Sequence, residues 1–286
     1  MTKAAAPSNS RLCLVADERA MSAREIAALE ENLWSNWSQF GGPEGCAFTR
    51  TEKVCRLDTP IASLPYNGVF KFSVEETEAD AEIDALMHHY EKRGVDHLWV
   101  IHPTASPTDL DERLNRRGFR EAENCTGMIA GPEELKGSDA LPDGLVIHEV
   151  GAEHKDVVME MVASRWQVPS EAVMHLHAFY QMICSPTGGR TMRGWLALLD
   201  GHPVGKAFTH RNNGVIGLYG VATKPEARGK GVAAALCLRA LQESVMSNDD
   251  LLVLHSSPMA ENLYRRMGFR SVAPFRIFAR DGAFHV

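Results

Sequence analysis

The chain carries one short signature twice. Leu114–Arg120 reads LNRRGFR and Leu263–Arg270 reads LYRRMGFR. Each closes a short helical stretch, reaches Gly-Phe and enters a β-rich segment. A Gly just past a helix end supplies the left-handed turn, and the Phe returns to the core. Two such matches, one near the end of each half, indicate an internal duplication. Between them Gly131–Gly144, GPEELKGSDALPDG, is rich in Gly, Pro and acids and reads as a linker. Two units, 1–136 and 144–286, are expected. The chain has 286 residues, 44% hydrophobic and 23% charged, enough to bury a core in each unit. Disorder as the general state is excluded.

The first half reads as a helix over about 22–39, then strands near Cys46–Cys55 and Val69–Val74. A helix over 79–93 is stopped by Gly94. The strand His97–His102, the helix Thr108–Arg117 and a strand near Glu121–Ile129 follow. The second half reads as the strand Leu145–Val150, helices over 153–166 and 170–183, and three strands: Trp195–Leu199, Val204–His210 and Val215–Ala222. Asp200-Gly201 and Asn213-Gly214 between these apolar runs are strong hairpin signals. A helix over 231–247, the strand Leu251–His255, the helix Met259–Met267 and terminal strands through Arg280 complete it. The fold class is mixed α+β within the α/β layer type: two like halves, each a twisted mixed sheet flanked by helices.

The chemistry concentrates in Val215–Leu236, VIGLYGVATKPEARGKGVAAAL. A strand ends, Lys224-Pro225 breaks it, and Arg228-Gly-Lys-Gly-Val-Ala233 opens an Ala-rich helix. Glycines let successive N–H groups converge, and the helix N-terminus adds partial positive charge. Arg228 and Lys230 add formal charge, so the run suits a pyrophosphate. A dinucleotide-binding reading is weaker, because no GxGxxG follows an early parallel strand. A Walker motif fails for want of GK[ST].

These residues resemble the GNAT superfamily of acyl-CoA-dependent N-acyltransferases. Arg228, Gly231 and Ala233 satisfy its Arg/Gln-x-x-Gly-x-Gly/Ala signature. Ala260, Leu263, Tyr264, Gly268 and Phe269 satisfy its Ala-x-x-Leu-Tyr signature ending in Gly-Phe. The resemblance covers roughly Leu145–Arg280, and the whole chain looks like a tandem arrangement with a degenerate first half. It implies an N-acetyltransferase that uses acetyl-CoA as co-substrate, without a metal, and transfers to the amine of a small molecule by direct attack. Alternatives are another acyl-CoA donor, or a CoA-binding sensor without turnover.

The resemblance also implies roles. The backbone of Val221 and Ala222 would pair with the pantetheine arm where the strands splay, with Val221 N–H as oxyanion donor. The N–H groups of Gly229, Lys230, Gly231, Val232 and Ala233 would cradle the pyrophosphate, and Tyr264 would protonate the leaving thiolate. Two positions depart from the pattern. Ser257 stands where the family often has Asn. Gly217 stands near the position of the usual Glu base, and Val215–Ala222 holds no acid. A base is absent, supplied through water, or comes from elsewhere, with His255 and Tyr219 as candidates. Trp166, His177, Phe179 and Tyr180 are candidates to line the acceptor pocket.

The first half departs further. Its strand Val69–Val74 leads into EETEADAEID, with no glycine and with Glu75, Glu76, Glu78, Asp80, Glu82 and Asp84, then Glu91 further along. Such a surface repels pyrophosphate. Asn115 takes the place of Tyr264. Only the second half is expected to bind CoA.

The net charge of −7 argues against a nucleic-acid binder. Residues 1–143 hold 15 Lys/Arg against 25 Asp/Glu, and 144–286 hold 15 against 12, so an anionic ligand should prefer the second half. Six cysteines without a CxxC pair suit reduced thiols rather than a disulfide or zinc scaffold. His175-Leu-His177 and His88-His89 point to different helix faces, so no metal is expected. No apolar run reaches the ~20 residues that span a bilayer. Residues 1–20 read as a short flexible leader without a signal peptide. A cytoplasmic monomer or homodimer is the expectation.

Overall fold

The computed structural model describes residues 9–166, 168, 170, 173–184 and 191–280. The first half contains α1 (Asn9–Ser38), β1 (Ala47–Arg50), β2 (Val54–Asp58), β3 (Gly68–Phe72), α2 (Glu76–Arg93), β4 (Leu98–Ile101), α3 (Leu110–Arg116) and β5 (Phe119–Ala130). The second contains β6 (Leu145–Glu149), α4 (Lys155–Trp166), α5 (Val173–Cys184), β7 (Met192–Leu199), β8 (His202–Asn212), β9 (Val215–Thr223), α6 (Val232–Gln242), β10 (Leu251–Ser256), α7 (Glu261–Arg266) and β11 (Arg270–Arg280).

The hairpins of the second half form where the turn residues stand. Asp200 and Asn213 take φ of 51° and 49°, and Gly201 and Gly214 take 79° and 75°. Two successive left-handed residues match the twist of the flanking strands. Gly94, at φ 66°, caps α2 as expected. Two readings need correction. The segment Cys46–Cys55 is not one strand: it folds back at Thr51, whose Oγ1 accepts from the N–H of Lys53 and Val54. A hydroxyl that closes a turn on its own backbone needs no Gly or Pro. The first helix starts at Asn9, not near Ser22, because nothing from Ser8 to Phe40 is Gly or Pro.

All eleven strands form one sheet, in the order β1-β2-β3-β4-β11-β5-β10-β9-β8-β7-β6. The last strand of each half lies across the midline. β5 pairs antiparallel with β10 of the second half, and β11 pairs antiparallel with β4 of the first. β5 and β11 also pair with each other from Phe119↔Arg280 to Ile129↔Arg270. The N-terminal helix α1 packs across this joint. Its Leu29 and Trp34 share a core with Ile129, Val253 and Phe275. A separate core lies under α6, where Leu236, Cys237 and Leu241 meet Ile216, Leu218 and Leu254. Among the described residues no helix is long and apolar enough to cross a membrane.

Candidate active site

β9 and β10 run parallel from Val215↔Leu251 to Leu218↔Leu254, and the pairing ends there. β9 continues to Thr223 against β8, and β10 continues to Ser256 against β5. The strands therefore fork. The twist at the fork is local: the β8–β9 register slips between Lys206 and Phe208, and Gly220 opposite takes φ 56°. A bulge of this kind bends the strand that carries it. Val221 and Ala222, half-buried, stand on the β9 prong beside the gap.

The β9 prong leads into the Gly-rich turn. Arg228, Gly229, Lys230 and Gly231 are exposed, and Arg228 Nε donates to Thr223 O at 3.3 Å. Gly229 and Gly231 have φ of 75° and 79°. Gly231 is the N-cap of α6, and no side chain caps the helix there. The first-turn N–H groups, those of Val232 and Ala233 included, thus lack intrahelical acceptors and point outward, an arrangement suited to an anion.

Ser257 follows the other prong and is half-buried. Tyr264, on α7, is buried, and its hydroxyl hydrogen-bonds Cys237 on α6. Burial, with the neighbouring thiol, raises its pKa well above the ordinary phenol value, so it stays protonated.

A cavity of about 240 Å³ opens at the inner end of the fork, with Tyr219 and Gly220 on one prong and His255 on the other. Burial pushes His255 down to about 3, and neither ring nitrogen has a partner among the described residues. The neutral ring lies between Tyr219, at 6.2 Å, and Phe275, at 4.4 Å. It can accept a hydrogen bond but cannot store a proton near neutrality. Tyr219 donates to Asn32 Oδ1 at 2.7 Å, and Asn32 Nδ2 donates to Val215 O at 3.0 Å. The absent acid at Gly217 has a steric reason as well: a Cβ there would overlap Asn32 Oδ1 and the Tyr219 ring. Helix α1 fills the space a longer side chain would need.

Of the pocket candidates from sequence, Phe179 and Tyr180 line the cavity and His177 does not. The Trp166 side chain lies outside the described residues. The sequence reading missed Trp37, Phe40, Glu123 and Lys206, which also line it. Lys206 is buried in β8, and its Nζ donates to Gly220 O at 2.7 Å. Glu123 belongs to β5, so its arrival depends on the strand exchange. No local pattern announces it. A buried Lys in a predicted strand was the one visible signal.

The first half has the matching fork, closed by its own chain. β3 and β4 pair in parallel at Gly68↔Leu98 and Val69↔Trp99 and then part. Ser106 N–H donates to Phe72 O, and Val74 N–H donates to Ser106 O, both at 3.1 Å. Phe72 N–H donates to His102 Nε2 at 3.2 Å, so the imidazole proton sits on Nδ1, 2.9 Å from Glu30 Oε1. Burial pushes the Glu30 carboxyl up, but the bonds from His102 and Thr104 outweigh it and hold the group below its ordinary value. Several acids of α2 are already paired: Asp80 with Arg113 and Arg117, Asp84 with Arg117, and Glu78 with Lys53.

Comparison with known proteins agrees with this geometry. Residues 155–286 match the family described as acetyltransferase (GNAT) domain. N-acetylaspartate synthetase of Rattus norvegicus is 35% identical over 81 residues, which span 27% of this chain and 27% of that protein. A GCN5-related N-acetyltransferase from Kribbella flavida superposes with a TM-score of 0.65 at 16% identity, over 89% of this chain and 96% of its own. A tandem GNAT protein from the clavulanic acid biosynthesis pathway gives 0.58 at 13%, over 83% and 84%. At such identities the superpositions speak for the fold.

Proposed function

We propose, for a chain whose residues 155–286 match the acetyltransferase (GNAT) domain, that it moves the acetyl group of acetyl-CoA to the amine of a small molecule. The observation that carries this is the open fork of β9 and β10, with an uncapped Gly-rich helix start at its outer end and a cavity at its inner end. A long anionic thioester fits the first two, and the acceptor fits the third. The name of the N-acetylaspartate synthetases supports an acetyl donor and an amine acceptor.

In this reading the amine nitrogen attacks the thioester carbonyl carbon. The C–N bond forms, the carbonyl electron pair moves to oxygen, and Val221 N–H donates to that oxyanion. The intermediate collapses, the C–S bond breaks, the thiolate takes a proton from Tyr264, and the proton that the attacking nitrogen sheds passes through solvent and restores the phenol. Tyr264 must leave Cys237 to do so. His255 accepts a hydrogen bond from the attacking N–H and aims the lone pair, and Tyr219, tied to Asn32, shapes the wall. The N–H groups from Gly229 to Ala233, with Arg228 and Lys230, hold the pyrophosphate. Val221 and Ala222 pair with the pantetheine arm, and Ser257 reaches it from the opposite prong.

One observation favours a second reading, a CoA-binding protein without turnover: Gly217 has no room for a carboxylate, and the Tyr264 hydroxyl is engaged by Cys237. Release of free thiol from acetyl-CoA with a panel of amines separates the two. Amine-dependent release supports transfer. Tight acetyl-CoA binding with no release under any amine supports the sensor. Competition between acetyl-CoA and longer acyl-CoA donors fixes the acyl group.

A further inference from the structure

Helix α1 turns one face to the cavity. Leu33, Asn36, Trp37 and Phe40, at the three- and four-residue spacing of a helix stripe, all line it. Three of the four are apolar or aromatic, and Asn36 is the exception. The asparagine one turn earlier shows what such a buried side chain ordinarily does. Asn32, 1% exposed, accepts from the Tyr219 hydroxyl and donates to Val215 O. Asn36 is 4% exposed, and its Oδ1 has no hydrogen-bond partner among the described residues. Buried polar atoms in folded proteins are nearly always paired, and an unpaired one is costly to keep. An apolar residue would serve the stripe better, and Asn is a poor helix former as well. On the wall of the same cavity, from β10, both ring nitrogens of His255 are also without partners among the described residues.

We infer that Asn36 is a specificity-determining residue, and that the amine substrate carries, away from its reacting nitrogen, a neutral hydrogen-bonding group that the Asn36 amide receives. This rests on the transfer reading above and names the substrate class of the same cavity. Two unmet polar groups on separate elements call for a ligand with two polar ends. With the reacting nitrogen at His255, the amide on α1 is left for the other end of the molecule. The group that meets Oδ1 must donate, which an O–H or an amide N–H does and an ionised carboxylate does not. A hydroxyl both donates and accepts, so it serves the Nδ2 end of the amide too. Binding then supplies a hydrogen bond that the free protein lacks. An analogue with a methyl in place of the hydroxyl leaves the amide unpaired and is rejected.

The test measures acetyl-CoA thiol release with linear amino alcohols from 3-aminopropan-1-ol to 6-aminohexan-1-ol, each beside the alkylamine that has a methyl in place of the hydroxyl. At the best chain length the amino alcohol should show a kcat/KM at least about tenfold above that of its alkylamine. Asn36→Leu, which keeps the volume and removes the amide, should bring that ratio to about one. Its urea midpoint should hold or rise, because no hydrogen bond is lost. Asn36→Ala, with folding checked by circular dichroism, should collapse the ratio as well. A ratio near one in the original protein, or a ratio kept in either folded variant, overturns the inference and leaves the transfer reading intact. A lower urea midpoint in Asn36→Leu overturns it too, since it assigns the amide a partner within the protein. If no amine releases thiol, the transfer reading fails. An amino alcohol that then raises the Tm of the original protein but not of Asn36→Leu keeps the amide site, and no difference between the two discards it.

Discussion

The two forks of the sheet start alike and end differently. In each, two parallel strands pair for a few residues and then part. Between β3 and β4 the gap is filled by residues 102–107, whose backbone and imidazole bond the free edge of β3. Between β9 and β10, among the described residues, no backbone hydrogen bond crosses beyond Leu218. A free strand edge is a template for another extended chain. The first half has provided that chain from itself, and the second leaves the gap open among the described residues. The helices that follow repeat the contrast. α2 starts with Glu76 and Glu78 and pairs Glu78, Asp80 and Asp84 with Lys53, Arg113 and Arg117 of the first half, whereas α6 starts at a bare Gly231. Duplication alone does not make two open forks: the first half closes its own with residues 102–107.

Tyr264→Phe is the sharpest way to break the comparison. Loss of a general acid typically costs 10²–10⁴-fold, or about 2.7–5.4 kcal/mol of barrier. Steady-state kcat should fall by that much with little change in KM for acetyl-CoA, and Asn115→Phe at the matching place should leave kcat alone. A folded Tyr264→Phe enzyme with more than about half the original kcat assigns the hydroxyl to its Cys237 bond instead.

Ligand stabilisation comes next. A hundredfold excess of acetyl-CoA over its Kd should stabilise the chain by about 2.7 kcal/mol. Gly231→Asp places a carboxylate at the uncapped turn and should erase the rise in Tm. Glu76→Gly, at the start of α2, should leave the rise whole; a reduced rise there would mean that the first half also binds the ligand.

Glu30→Ala opens the stitched fork. It strands the buried donors of His102 and Thr104 and should cost about 1–3 kcal/mol of unfolding free energy in a denaturant titration. The acetyl-CoA shift should persist. A variant with unchanged stability would show that the first fork does not depend on this stitching.

The comparison is also sharpened by pH. Burial pushes His97 and His255 down to about 3 and His210 to about 4. In the unfolded chain each titrates near ~6.5. Between those values the unfolded state binds more protons, so stability is complete above about pH 6.5 and is lost as pH falls toward the folded values. Each imidazole contributes a slope of at most about 1.4 kcal/mol per pH unit. Urea midpoints from pH 7 to 5 should fall, and His255→Gln should flatten the slope by one group's share. A slope unchanged by that substitution would mean the His255 ring is solvated at the fork.

Much of the second half was legible because its signals are local. Asp200-Gly201 and Asn213-Gly214 can adopt left-handed pairs, and hairpins followed. Arg228–Ala233 turns and opens a helix because glycine permits the positive φ there. The repeated Gly-Phe ends each of α3 and α7 by the same rule. Thr51, in contrast, turned the chain with a hydroxyl that a scan for Gly and Pro passes over.

What the sequence determined by itself was therefore the kind and order of the elements, the pair of like halves and the phosphate-type turn, since each rests on the backbone preferences of adjacent residues. What only the tertiary structure decided was which edges meet. A strand's alternation says which face is buried but not which strand it pairs with. The crossing of β5 and β11 over the midline is for that reason unreadable in either segment. With it came Glu123 into the cavity, and with the packing of α1 over the joint came Asn32 against Gly217 and Phe40 against Phe179. Those contacts join residues more than a hundred positions apart, and only the shared sheet brings them together.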